Sequence, residues 1–196
     1  IPNDTTIGTA AFYACGKVIL SVEENSDAHK FAVSNKVSCT VRPAAPKVLY
    51  SGECGENAAW ELYNNGVLKI TGTGKMADWN AATAPWQSYV SQITGVEIGE
   101  GITYVGKFNF YGCNALKTIT FSSTVETIGW GAFGYCSALE NVVIPANVKT
   151  VMSYAFYNCA AVTTITIPKS VKTIGEYAFA YCDALAEVDI PDSVTT

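Results

Sequence analysis

A sole histidine, seven cysteines and a few acid pairs are the residues with which this 196-residue chain could do chemistry. His29 sits in "DAHKF", and a nucleophile–imidazole pair there would serve acyl or phosphoryl transfer. The competing reading is a partly exposed histidine in a short capping helix, and nothing nearby in sequence completes a triad. "TGTGK" at 71–75 is superficially like a phosphate loop, but it lacks the GxxxxGK[ST] spacing and Met76 stands where a metal-binding hydroxyl belongs. A hairpin turn is the better expectation. "EENSD" at 23–27 gathers three acids that could hold a hard cation, yet it does not match an EF-hand loop and suits helix capping. Glu97 with Glu100, and Glu187 with Asp189, would be glycosidase carboxylates only if a cleft lay between them; as solvated strand positions they need no cleft. "NDT" at 3–5 is a glycosylation sequon.

The cysteines carry a different message. Cys113, Cys136, Cys159 and Cys182 recur every 23 residues, with no CxxC pair and no His-x-x-x-His. Zinc ligands must converge on one point, whereas these ride a regular period. They read as a column of reduced, buried thiols acting as small hydrophobes, spaced roughly as strands in a sheet, about 4.8 Å. Cys15 belongs to a similar phrase, "AFYAC"; Cys39 and Cys54 lie outside the pattern and would pair only if their segments meet.

The period extends to every apolar position. Phe110, Phe133, Phe156 and Phe179 form one column; Leu116, Leu139, Val162 and Leu185 another. Ile119, Val142, Ile165 and Val188 follow, then Phe121, Ile144, Ile167 and Ile190, with Pro145, Pro168 and Pro191 beside the last three. A fixed period of this length means units that cannot bury their own apolar face and must stack. Within a unit, "TTITIP" alternates apolar and polar as a half-buried strand does, and the proline ends it. The "IGxxAFxxC" portion turns the chain back, with Phe and Cys facing inward from one helical or 3-10 turn. One period earlier, Ile93, Val96, Ile98, Ile102 and Val105 fit an opening unit in which Val90 replaces the cysteine.

The first residues look like an interrupted second copy: Ile1-Pro2, Ile7-Gly8, Phe12, Cys15 and Val18. The period then fails. Ser26 or Asp27 as N-cap, a short helix over 28–33 and a strand over 37–41 predict a cap. The expected organisation is therefore 1–41 as the end and cap of one array, 42–49 as a proline-containing linker, 50–84 as a β-hairpin capping module, and 85–196 as an array of about five units. "NNG" between "WELY" and "VLKI" marks the hairpin, with Gly66 free to take a positive φ. Because "IPDSVTT" stops where "IG" should follow, the chain is expected to be an excised piece of a longer protein holding further repeats; no basic, apolar leader opens it, as expected either of a protein that never had a secretion signal or of a mature or excised segment. Its uncapped repeat ends would permit end-to-end self-association.

The columns IP-xx-V-xx-I-G-xx-AF-xx-C-xx-L-xx-I-x-IP closely resemble the BspA-type leucine-rich repeat, and residues 51–86 resemble the opening module that precedes such arrays in bacterial surface proteins. The resemblance covers nearly the whole chain. It implies an α/β repeat solenoid, a right-handed coil of short parallel strands and short turns, exported to the bacterial cell surface or secreted. Some relatives of this kind bind host matrix or plasma proteins or other cells.

Composition supports a binding rather than a catalytic expectation. The chain is 49% hydrophobic and 15% charged, with a net charge of −5 and no lysine or arginine stripe to neutralise phosphates. No apolar run is long enough to span a bilayer. Neither a cofactor nor a metal is called for. The outward strand positions, Thr118 and Thr120, Asn141 and Val143, Thr164 and Thr166, Glu187 and Asp189, form a Thr-rich ladder that turns acidic, suited to many weak contacts with a protein or glycan. Threonine's strand propensity explains the same ladder without a ligand. Aromatics offer a rival patch, Phe108, Trp130, Tyr154 and Tyr177 just before the Phe column and Tyr111, Tyr135, Tyr157 and Tyr181 just after it; sugar binding competes with mutual packing between units. A recognition or adhesion module leads; a structural spacer and a carbohydrate-binding appendage are the alternatives.

Overall fold

The structure is a computed structural model and describes residues 19–196. The repeat-like copy at Ile1-Pro2 through Val18, with its sequon, lies outside the described residues. The chain divides between Lys47 and Val48 into two compact units.

In the first unit, β1 (Leu20–Glu23) and β2 (Cys39–Arg42) pair in parallel, and α1 (Asp27–Ser34) makes the crossover. Ser26 caps the helix: its backbone is extended and its Oγ accepts from the His29 N–H at 3.1 Å. Leu20 and Val22 on the strand and Ala28 and Ala32 on the helix bury against one another, with Val37 and Cys39 at the margin. Arg42 thus belongs to a strand, and the extended stretch expected at 42–49 shortens to 43–47.

The second unit opens with an antiparallel meander, β3 (Val48–Gly55), β4 (Ala58–Tyr63) and β5 (Val67–Gly72). The expected hairpin is its β4–β5 half. Gly66 takes φ +81° in the turn, and its N–H donates to the Tyr63 carbonyl. No turn signal as strong precedes β4, so β3 is a third strand that the hairpin expectation omitted. "TGTGK" is a different device from the expected hairpin turn. Gly72 (φ +107°) and Gly74 (φ +81°) bend the chain from β5 into β6 (Gly74–Lys75), which pairs in parallel elsewhere.

From there the chain coils, and each turn of the coil contributes to two parallel strand rows. The first row is β7 (Gly95–Ile98), β9 (Thr118–Phe121), β11 (Asn141–Val143) and β13 (Thr164–Thr166). The second is β8 (Ile102–Val105), β10 (Thr127–Ile128), β12 (Thr150–Val151) and β14 (Thr173–Ile174), joined with β6 into one sheet ordered β14-β12-β10-β8-β6. Between coils the partners sit 23 residues apart, Thr127 against Thr150 against Thr173 for example, whereas β6 meets β8 at a different offset. The second row was unexpected because its strands are only two residues long beyond β8, too short to show alternation. The first β7 pairs with β5, so the meander and the coil share one sheet.

The turn segment was expected as one helical or 3-10 turn; the opening coil has the 3-10 form, and the later coils add left-handed residues to it. Within the array a 3-10 helix occurs at Gln87–Tyr89. In later coils Phe108, Gly131, Tyr154 and Tyr177 take φ between 55° and 60°, and Gly112, Tyr135, Asn158 and Tyr181 between 56° and 76°. Left-handed residues four apart cannot continue a right-handed helix. Their N–H groups point along the coil axis instead: Phe108 donates to the Trp130 carbonyl, Gly112 to Gly134 and Tyr135 to Tyr157 on the next coil. Hydrogen bonds between coils thus hold the turns as well as the strands.

Inside, the columns stack in register. Trp86, Phe110, Phe133, Phe156 and Phe179 form a continuous pile, centroids 5.0 to 5.6 Å apart and planes within 16° of parallel. Trp86 Nε1 donates to the Asn109 carbonyl at 2.8 Å, tying the opening coil to the next. The ladder thiols are buried in file: Cys136 Sγ donates to the Phe110 carbonyl, Cys159 to Phe133 and Cys182 to Phe156. Cys39 and Cys54 are free thiols.

Candidate binding surfaces

The candidate catalytic residues are occupied with structural work. His29 Nδ1 accepts from the Asn25 backbone N–H at 3.1 Å, while the Ser26 hydroxyl donates to the Glu23 carbonyl at 2.6 Å. The hydroxyl proton therefore does not point at the imidazole. Of the "EENSD" acids, Glu23 accepts from the Ala45 N–H and Asp27 pairs with Lys30, so they do not converge. Glu97 lies 3.6 Å from Lys69, and Glu100 accepts from the N–H and hydroxyl of Ser123.

Every residue of the expected outward ladder is exposed: Thr118, Thr120, Asn141, Val143, Thr164, Thr166, Glu187 and Asp189. Alternation explains this, since Ile119, Val142 and Ile165 between them point inward. Asn141 faces Thr164 and Val143 faces Thr166 across adjacent coils, and the Thr164 hydroxyl donates to Asn141 Oδ1. The fourth copy is different. Glu187 and Asp189 stand on a segment without strand pairing, and carboxylates at both outward positions are poor strand formers. Toward the other end the face runs further than the ladder reading reached: Thr120 faces Glu97, which faces Lys69, which faces Glu61 on the meander. The 23-residue step from Thr120 back to Glu97 was the available signal.

The second strand row carries a depression that no motif announced. It encloses about 570 Å³ between Lys75, Asp78, Tyr104, Glu126, Thr127 and Met152. The Tyr104 hydroxyl and the Lys107 N–H both donate to Asp78 Oδ1 at 2.7 Å. Burial first, and the Asp78 bond second, push the Tyr104 phenol well above its ordinary range. Glu126 pairs with Lys149 at 3.1 Å. Asp78 is thus an anchor for the loop before Phe108 rather than a free base. Met152 reaches the depression because it stands where Gly129 and Gly175 stand in neighbouring coils.

The aromatic patch is real and organised. One row joins Phe108, Trp130, Tyr154 and Tyr177, with centroids 4.7 to 5.1 Å apart. The other joins Tyr111, Tyr135, Tyr157 and Tyr181 at 5.1 to 5.5 Å. Mutual packing between coils is therefore present. Large and small residues alternate to permit it: a Cβ on Gly134 would lie 3.0 Å from the Tyr111 ring, and one on Gly131 equally near Phe108. Burial first, then the facing tyrosines, raise the phenols of Tyr111 and Tyr157.

Comparison with known proteins agrees with this geometry. The model of the BspA type leucine rich repeat region, six copies, matches residues 88–196. A leucine-rich repeat protein of Eubacterium ventriosum superposes with a TM-score of 0.58 at 26% identity, over 74% of this chain and 44% of its own. The chain thus spans less than half of that protein's length. The leucine rich repeat protein of T. pallidum shares the fold, TM-score 0.51 at 23% identity, over 69% of this chain and 70% of its own. No curated protein matches. Among the described residues no helix is long and apolar enough to cross a membrane. Such repeats are the material of protein-interaction and surface modules. With the 23-residue coil, its cysteine and phenylalanine files and a family match over more than half its length, the chain belongs to the BspA-type leucine-rich repeat family.

Proposed function

We propose that the chain is a non-enzymatic recognition or adhesion module, displayed on a bacterial cell surface or secreted, that binds a protein or glycan on a host or neighbouring cell. The observation that carries this is the exposed outward row, repeated on a fixed coil register and continued by Glu97 and Lys69 toward the meander. An extended row of hydroxyls, amides and paired charges offers many modest contacts over a long surface, the mode of concave repeat proteins. The residues that could have formed a nucleophile–base pair are spent on helix capping and loop anchoring. A spacer role would use the same coil without needing any particular outward residue.

Retention of the chain on immobilised matrix proteins and on glycan arrays tests the reading. The expected result is retention on one array that disappears in Thr164→Lys with Thr166→Lys, because two ammonium groups replace neutral partners at the middle of the row while staying in solvent. Absence of retention on both arrays would establish the spacer reading in its place.

A further inference from the structure

We infer that Asn65 is a site of spontaneous chemical modification, a deamidation through Gly66, and that its isoaspartyl product unfastens the meander from the first coil. No other asparagine or aspartate of the chain precedes a glycine. The pair stands at the tip of the β4–β5 hairpin, with Asn65 exposed. Glycine is required at 66, where φ is +81° and a Cβ would fall 2.5 Å from Thr94 Oγ1. No side chain therefore shields the Gly66 nitrogen from its neighbour. Asn65 Oδ1 accepts from the Val67 N–H at 3.2 Å. The ring closed by that bond contains both the Asn65 Cγ and the Gly66 nitrogen, the atoms that would join. The same N–H polarises the side-chain carbonyl and would hold the negative charge that develops on Oδ1. What restrains the reaction is the bond from the Gly66 N–H to the Tyr63 carbonyl at 3.0 Å. It lies at a turn whose residues 64 and 65 are exposed, among the bonds that open at least cost.

In the step itself, the Gly66 nitrogen loses its proton to water or hydroxide and bonds to Asn65 Cγ. Nδ2 leaves as ammonia, taking a proton from solvent, and a cyclic imide remains. Water then opens the imide at either carbonyl. Cleavage of the new Cγ–N bond gives aspartate, whereas cleavage of the original peptide bond gives isoaspartate, with the main chain routed through Cβ and Cγ. No oxidant or reductant takes part. Aspartate only adds a charge; isoaspartate inserts an extra methylene into the backbone. The Gly66 carbonyl accepts from the Thr94 N–H at 2.8 Å and from the Gly95 N–H at 3.3 Å. These bonds lead into the parallel ladder between β5 and β7, which begins with Val67 against Gly95. A lengthened turn withdraws Gly66 from its place, so the seam between meander and coil opens from this end. Lys69 and Glu97, paired a little further along, then lose the register that puts them in the outward row. The modification stands whether or not that row binds a partner; in the recognition reading, ageing would wear away its meander end.

Incubation of the whole chain at neutral pH and body temperature tests this, followed by peptide mapping in a mass spectrometer and isoaspartate counting by enzymatic methyl transfer. Asn65 is expected to gain the mass of amide-to-acid exchange before any other asparagine. Mildly acidic incubation should slow the gain, since the attacking nitrogen must lose its proton. In the isoaspartyl fraction, hydrogen exchange at the Thr94 and Gly95 amides should quicken about tenfold, as the loss of two backbone hydrogen bonds would give. Amides of the Phe133 coil should be unchanged. Asn65→Ser keeps an oxygen for the Val67 N–H but has no amide to lose, and should hold parental exchange through the same incubation. Freshly made Asn65→Asp carries the charge on an unaltered backbone and should also exchange as the parent does. An Asn65 that stays intact throughout, or parental exchange at Thr94 and Gly95 in the isoaspartyl fraction, overturns the inference. Equal loosening in fresh Asn65→Asp would overturn it too, by assigning the effect to charge.

Discussion

Phe133 sits in the middle of the pile, stacked on Phe110 at 5.0 Å and on Phe156 at 5.3 Å, with no exposure. Phe121 meets it edge-on at 5.7 Å. Removing the ring leaves a cavity walled by three other rings whose positions are fixed by their own coils, so little collapse can fill it. Phe133→Ala should cost about 3–5 kcal/mol in urea unfolding. Gly66 tests the backbone in the same way. Its φ of +81° is paired with a tight environment, since an added Cβ would fall 2.5 Å from Thr94 Oγ1 and 2.8 Å from the Gln92 carbonyl. Gly66→Ala should therefore destabilise by more than about 1 kcal/mol, and a neutral result in the same assay would contradict the turn assignment. "NNG" made this turn legible before any coordinates, because one glycine between two alternating runs has few other uses. The left-handed tyrosines were not legible, since nothing in local propensity puts a ring at positive φ; the neighbouring coil imposes it.

At the scale of the element, the cysteine file links packing to pH. Burial holds the thiols of Cys113 and Cys159 up to about 12 from an ordinary value near 9, and pushes Cys136 up as well. The folded chain therefore favours the protonated thiol more than the unfolded chain does. That contribution is complete below the unfolded thiol's range and is lost as pH climbs from about 9 toward about 12, by up to about 1.4 kcal/mol per thiol per pH unit. Urea midpoints should fall steeply over that window, and a Cys136→Ala/Cys159→Ala chain should fall less steeply. Equal slopes would mean that the thiols are not buried in file. The file itself was readable from the 23-residue spacing, as were the strands at 118–121 and 164–166. The two-residue strands of the second row were not, because a pair of residues has no period, and neither was the failure of the fourth outward strand at Glu187 and Asp189.

For the whole molecule, coil-on-coil support was the most legible property and the ligand surfaces the least. A period of 23 residues in the cysteine file and four further apolar columns leaves stacking as the one way to cover each unit, and the family resemblance carried by the same columns agrees with it. The depression beside Tyr104 arises from residues on different coils and on the loop at Asp78, so no contiguous stretch of sequence encodes it. The outward row was foreseen as positions; its continuation through Glu97 to Lys69 required knowing that the meander joins the coil's sheet. The proposed binding surface depends on that register, because a slip of one residue would send each outward side chain into the core. Anomalous scattering from sulfur in a crystal of the chain examines the register most directly. The sulfurs of Cys113, Cys136, Cys159 and Cys182 should lie in a single file at the spacing of adjacent strands, about 4.8 Å. Sulfurs scattered on different sides of the molecule would contradict the coil and the binding surface with it.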